Sequence, residues 1–103
     1  MILYNVTVKI EHAIQEDWTR WMRSVHIPDV MATGLFQSYK MCQLVSVDDT
    51  DGVTYAIQYF CTDMAAIYEY QQKHAARLQK EHSERYRNKY VAFRTLMEVL
   101  HEG

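Results

Sequence analysis

From Ile2 to Ile10 apolar and polar positions alternate, with Ile2, Tyr4, Val6, Val8 and Ile10 on one face and Leu3, Asn5, Thr7 and Lys9 on the other. A period of two is the mark of a half-buried strand. At Ile14 the period lengthens, and Ile14, Trp18, Trp21, Met22 and Val25 form a helical stripe. Glu16 and Asp17 fall in its first turn, where carboxylates favour the helix dipole. The pattern predicts that this helix stops near His26, because Ile27 precedes Pro28. Pro28 then opens a short second turn, Asp29 to Thr33, closed by Gly34.

Two further strands are predicted, over about Phe36–Val47 and Val53–Cys61, joined by Asp48-Asp49-Thr50-Asp51-Gly52. One face of the hairpin carries Tyr39, Met41, Val45, Tyr55, Ile57 and Tyr59; the other mixes Leu44, Ala56 and Phe60 with Cys42, Gln58, Ser46 and Thr54. Pairing Val47 with Val53 sets Cys42 opposite Gln58 and Cys61 opposite Tyr39, so the two thiols point to opposite faces and do not bridge. Thr62 and Asp63 are candidate caps for a second helix. Its stripe runs Met64, Ile67, Tyr68, Gln71, Ala75, Leu78, His82 and Tyr86. Tyr90 to Leu100 alternates again as a fourth strand.

The order strand, helix, strand, strand, helix, strand predicts an α+β sandwich: a four-stranded antiparallel sheet with two helices on one face. At 103 residues the chain is long enough for one core, so residues 1–103 are read as a single domain. The uncovered face keeps Leu, Ala and Phe among small polar residues, too apolar for open water. A second copy packed sheet on sheet by a two-fold axis covers it most simply, which predicts a homodimer.

Charge and motifs exclude more than they select. A formal net charge of −2 gives no general attraction to nucleic acid or anionic membrane. The N-terminus has no signal-peptide pattern and no stretch reaches the ~18 apolar residues of a membrane span, so a cytoplasmic protein with reduced Cys42 and Cys61 is expected. RNA-recognition domains share the element order, but here Val53-Thr54 stands where a basic residue and glycine belong, and no nucleic-acid partner is predicted. No metal site is predicted either. His74 and His82 lie about two turns apart, too far to share an ion. The acidic loop ending at Gly52 has Val47 and Gln58, not carboxylates, at the first and last positions of a calcium loop.

Five residues remain as ligand-binding candidates. His82 continues the apolar stripe of the second helix, and His26 ends that of the first; both could serve as acid, base or ligand group, or be ordinary residues at helix ends. Asn5 and Arg94 are polar residues within strands, candidates to orient a polar substituent; for Arg94 an ion pair is the competing reading, with Glu98 on its own strand face or with a carboxylate of a dimer mate. Trp21, with Trp18, Tyr55, Tyr59 and Tyr68, would wall a flat aromatic ligand or simply pack. The deciding geometry is whether His26 and His82 converge within about 8–10 Å on one cavity.

Tyr4-Asn5-Val6-Thr7-Val8, Trp18 with Trp21-Met22, His26-Ile27-Pro28-Asp29-Val30-Met31-Ala32-Thr33-Gly34, Tyr55-Ala56-Ile57-Gln58-Tyr59-Phe60 and Val91-Ala92-Phe93-Arg94-Thr95-Leu96 resemble a family of short bacterial proteins known as domain of unknown function 4286. The resemblance implies a ferredoxin-like fold of the dimeric α/β-barrel type and assigns no activity or cofactor. That wider superfamily includes cofactor-independent monooxygenases, haem-degrading monooxygenases and small isomerases. Likeness to the haem-degrading branch would imply a strand-one Asn near the ligand and a second-helix His as axial ligand, positions taken by Asn5 and by His74 or His82. Two functions follow: a small apolar or aromatic ligand bound between helices and sheet, with monooxygenase-like or isomerase-like chemistry, or a non-enzymatic dimeric module that binds a metabolite or a protein.

Overall fold

The structure, a computed structural model, describes residues Met1–Gly103. Four strands, β1 (Ile2–Ile10), β2 (Ser38–Gln43), β3 (Val53–Cys61) and β4 (Tyr90–Glu98), form one antiparallel sheet in the order β2-β3-β1-β4. The long strand β1 lies between β3 and β4, which is the arrangement two interleaved β-α-β units produce. Even residues of β1 and β4 and odd residues of β2 and β3 face the helices. On that face Ile57 and Val8 are almost fully buried and Tyr59 joins Tyr4 and Phe36 in an aromatic cluster, with centroids 5.3–6.1 Å apart.

The helical layer has two arms. The first comprises α1 (Gln15–Trp21), a π turn (Met22–His26) and α2 (Ile27–Met31); the second comprises α3 (Met64–Tyr70), a π turn (Gln71–Ala75) and α4 (Ala76–Arg85). In each arm the buried positions contain one five-residue step, Met22 to Ile27 and Tyr70 to Ala75. A regular α-helix would rotate the second residue of such a step off the core face; the extra residue of a π turn brings it back. The predicted stop at His26 is therefore corrected. His26 and Ile27 keep helical dihedrals, and Pro28 falls in the first turn of α2, where a missing N–H is tolerated. The second stripe is corrected likewise: Tyr68 is 58% exposed and Tyr70 takes its place in the core.

Asp63 caps α3, accepting a hydrogen bond from Ala66 N at 3.2 Å. β3 has the predicted bounds, but β2 is shorter, since Phe36 is buried ahead of it and Val45 stands 91% exposed beyond it. The hairpin register differs by two residues from the expected one, pairing Cys42 with Ala56. An even shift preserves faces, so Cys61 is buried, Cys42 exposed, and both are free. At the end of the hairpin loop, a Cβ on Gly52 would meet Ile10 O at 2.6 Å, which reserves that position for glycine. No helix is long and apolar enough to cross a membrane.

The outer sheet face has no cover. Val91, Phe93 and Met97 of β4 are 69%, 63% and 42% exposed, and Leu3 and Phe60 complete an apolar row with Met97.

Candidate functional site

Between β1, β4 and the two helical arms lies a narrow cavity of about 30 Å³, counted as room for the centres of water molecules. That is space for roughly two waters. Fourteen residues line it, ten of them hydrophobic, and none is Asp or Glu. Tyr4, Val6 and Val8 form the floor with Ile57, and Met22 and Val30 form part of the roof. Arg94 is the only exposed member of the lining and sits on the edge strand, which marks the mouth.

The polar groups of the lining come from different elements. His26 closes the first π turn and His82 lies in α4; their rings meet edge to face with centroids 5.8 Å apart. Trp21, the last residue of α1, stacks on His26 at 5.3 Å with an interplanar angle of 28° and leans on His82 at 5.8 Å. Tyr90 meets the His82 ring at 4.4 Å. The π turn is what makes the histidine pair: it sets His26 beside Met22 over the cavity while Ile27 still reaches the core.

Burial governs the charge state of both rings. Desolvation lowers the His26 pKa to about 4; the Asp29 carboxylate offsets part of this and the Arg94 guanidinium adds to it. Desolvation likewise lowers His82 to about 4, reinforced by His26 and by Arg94. Both imidazoles are neutral at pH 7. His82 Nε2 accepts a hydrogen bond from Trp18 Nε1 at 2.9 Å. His26 Nδ1 is the one buried side-chain nitrogen or oxygen without a partner. Burial also raises the Tyr4 hydroxyl, with Arg94 pulling it partway back, and raises Tyr59 and Tyr70 well above the ordinary phenol range.

Of the five sequence candidates, His26, His82 and Arg94 line the cavity, and Trp21 packs against both histidines. Asn5 does not reach it. It pairs with Gln58 and Thr95 on the outer face, where its Nδ2 donates to Thr7 Oγ1 at 2.9 Å. The alternation of β1 already carried this answer, since Asn5 shares a face with Leu3 and Thr7. The internal Arg94–Glu98 ion pair does not form: none of the six ion pairs within the chain includes either residue. Tyr4, Tyr70 and Gln79 are lining residues that sequence reasoning missed. Tyr70 was hidden by the π turn that follows it.

A haem does not fit this donor set. His82 Nε2 is already held by an indole N–H, Asn5 is on the other side of the sheet, and His74 lines a separate shallow groove with Asp29 and Arg77. No cluster of three His, Cys, Asp or Glu side chains could hold a metal ion.

The sheet order and helical layer define a ferredoxin-like α+β protein. Residues 1–100 match the family described as Domain of unknown function (DUF4286), and the chain belongs to that family. Solved structures share the fold at low identity. A dimeric ferredoxin-like protein from an uncultured marine organism superposes with a TM-score of 0.72 at 6% identity, over all of this chain and 98% of the other. A point mutant of MhuD with two manganese protoporphyrin IX bound per active site gives 0.67 at 11% identity, again over all of this chain and 98% of the other. SnoaB, a cofactor-independent oxygenase from Streptomyces nogalater, gives 0.62 at 14% identity, over 98% of this chain and 95% of its own. Comparison with curated proteins finds no match.

Proposed function

We propose that the protein binds a small, flat, apolar or aromatic ligand in the cavity between helices and sheet. The reading rests on the pairing of His26 and His82, brought ring to ring at 5.8 Å over an otherwise apolar cavity, with His26 Nδ1 unpartnered. Apolar walls with a few polar groups are what small-molecule sites are made of. The cavity as it stands is narrower than one aromatic ring, so the ligand enters by parting the mouth, where Arg94 is held by no carboxylate.

Two neutral imidazoles beside a guanidinium suit a ligand with an acidic proton. His26, with its pKa near 4, would take it only from a strongly acidic position, with Arg94 the cation that would stabilise the anion left behind. Proton removal of this kind begins both isomerisations and cofactor-free oxygenations, and the shared fold with a cofactor-independent oxygenase supports the latter class. The porphyrin bound by MhuD finds no counterpart in this donor set.

The protein acts as a homodimer joined through the outer sheet face, a reading supported by exposed Val91, Phe93 and Met97 and by the dimeric protein of the same fold. Two unbridged cysteines on opposite faces support a cytoplasmic location. The same apolar face favours the second reading, a dimeric interaction module without chemistry.

Thermal shift with haemin, a flavin, a quinone, benzoate and naphthoate separates the two. A ligand at 100 times its Kd stabilises by about 2.7 kcal/mol, a shift of about 10 °C or more for a chain of this size. The account expects a shift from an aromatic acid that is lost in a folded His26→Ala or His82→Ala variant. A shift from none of the five turns the reading to the interaction module.

A further inference from the structure

An indole N–H can give a hydrogen bond and cannot accept one. Trp18, with no exposed surface, donates its Nε1–H across the helical layer to His82 Nε2 at 2.9 Å, the two rings crossing at 87°. His82 Nε2 must therefore hold a lone pair, and the neutral ring carries its hydrogen on Nδ1. The two nitrogens of an imidazole point away from one another, so the Nδ1–H is aimed away from Trp18. No protein group accepts from it, yet His26 Nδ1 is the only unpartnered side-chain atom sealed from solvent. The His82 Nδ1–H is thus open to solvent, on a residue that lines the cavity.

We infer that Trp18 is a positioning residue that fixes His82 as an N–H donor into the cavity, and that the ligand it receives is a flat aromatic acid whose carboxylate faces His82 Nδ1 and Arg94. The inference rests on the reading of the cavity as a ligand site. Arg94 is the only charged side chain in the lining, and no Asp or Glu answers it. A cationic ligand would meet a fixed donor and an unpaired guanidinium, whereas a carboxylate meets two donors and a counter-charge. The same bond removes His82 Nε2 from any metal, since a nitrogen whose lone pair accepts a hydrogen bond has none to give.

The test begins without ligand. Long-range ¹⁵N–¹H correlation spectra at pH 7 should show His82 as the Nδ1–H tautomer in wild type and as a mixture, or as Nε2–H, in Trp18→Phe. A wild-type His82 protonated on Nε2 overturns the inference whatever the cavity binds. The second arm titrates benzoate against benzamidine, which match in shape and oppose in charge. Benzoate should shift the His82 ring signals and bind at least about tenfold more tightly than benzamidine, and Trp18→Phe should weaken it by about tenfold. Equal or tighter binding of benzamidine overturns the ligand class. Silence from both probes, with the tautomer as stated, overturns it together with the ligand-site reading.

Should Trp18→Phe fail to fold, His82→Asn and His82→Gln decide. An Asn amide puts N–H near the position of Nδ1, and a Gln amide reaches the position of Nε2. His82→Asn should keep benzoate affinity within about threefold while His82→Gln loses it; the opposite order contradicts the inference.

Discussion

Trp21 stacks on His26 at 5.3 Å and 28°, and this contact covers a half-buried ring whose Nδ1 is sealed from water. A ring buried this way resists taking a proton, and the cost is felt as acid is added.

Stability should accordingly fall as the pH drops. Both histidines have folded pKa values of about 4, below the 6.5 of the unfolded chain. The unfolded state therefore binds more protons between those values. The contribution is fully present above pH 6.5 and is lost as pH falls towards 4. Urea midpoints at pH 7 and pH 4.5 should differ more in wild type than in His26→Phe. An equal loss in the two proteins would mean that His26 does not titrate as a buried group.

Arg94 lowers the pKa of both histidines from β4, while Asp29 from α2 raises that of His26. Arg94→Met should therefore move both imidazole titrations upward in NMR, with little change in thermal stability because no ion pair is lost. Unmoved titrations would place the guanidinium outside the cavity.

The five-residue step of the first arm should tolerate no further lengthening. Inserting an alanine after Ser24 would lengthen the step to six residues and rotate Ile27 and Val30, each 1% exposed, by about 100° away from the core. Exposing two such side chains costs about 3–6 kcal/mol. Chemical denaturation of the insertion variant should show a loss of that order; a near-neutral insertion would contradict the five-residue step as the organising feature of the arm.

Phe93, 63% exposed on the outer face midway along the edge strand β4, should be required for dimerisation. Light scattering at micromolar concentration should give twice 12.3 kDa for wild type and 12.3 kDa for Phe93→Arg. A monomeric wild type removes the dimer from the account.

Element order and strand faces could be read from periodicity, because strands and helices keep fixed repeats, and the Asp63 cap from residue type; whether His26 meets His82 could only be posed as a question. The two π turns could not. A five-residue step between buried positions looks like a break in the pattern, and beside Pro28 it was read as a helix end. Tyr68 was preferred to Tyr70 for the same reason. Asn5 was a different failure: its face was legible, and its polarity alone raised it to a candidate. The Trp18–His82 bond joins two elements far apart in sequence, and nothing local announces it.

The most direct test of the central claim, that the histidine-lined cavity takes an aromatic acid, is the set of intermolecular NOEs from benzoate to assigned methyl groups. The account predicts contacts to Val8, Ile57 and Ala92, which line the cavity beneath His82. Contacts confined to Leu3, Val91 and Met97 on the outer face would contradict it.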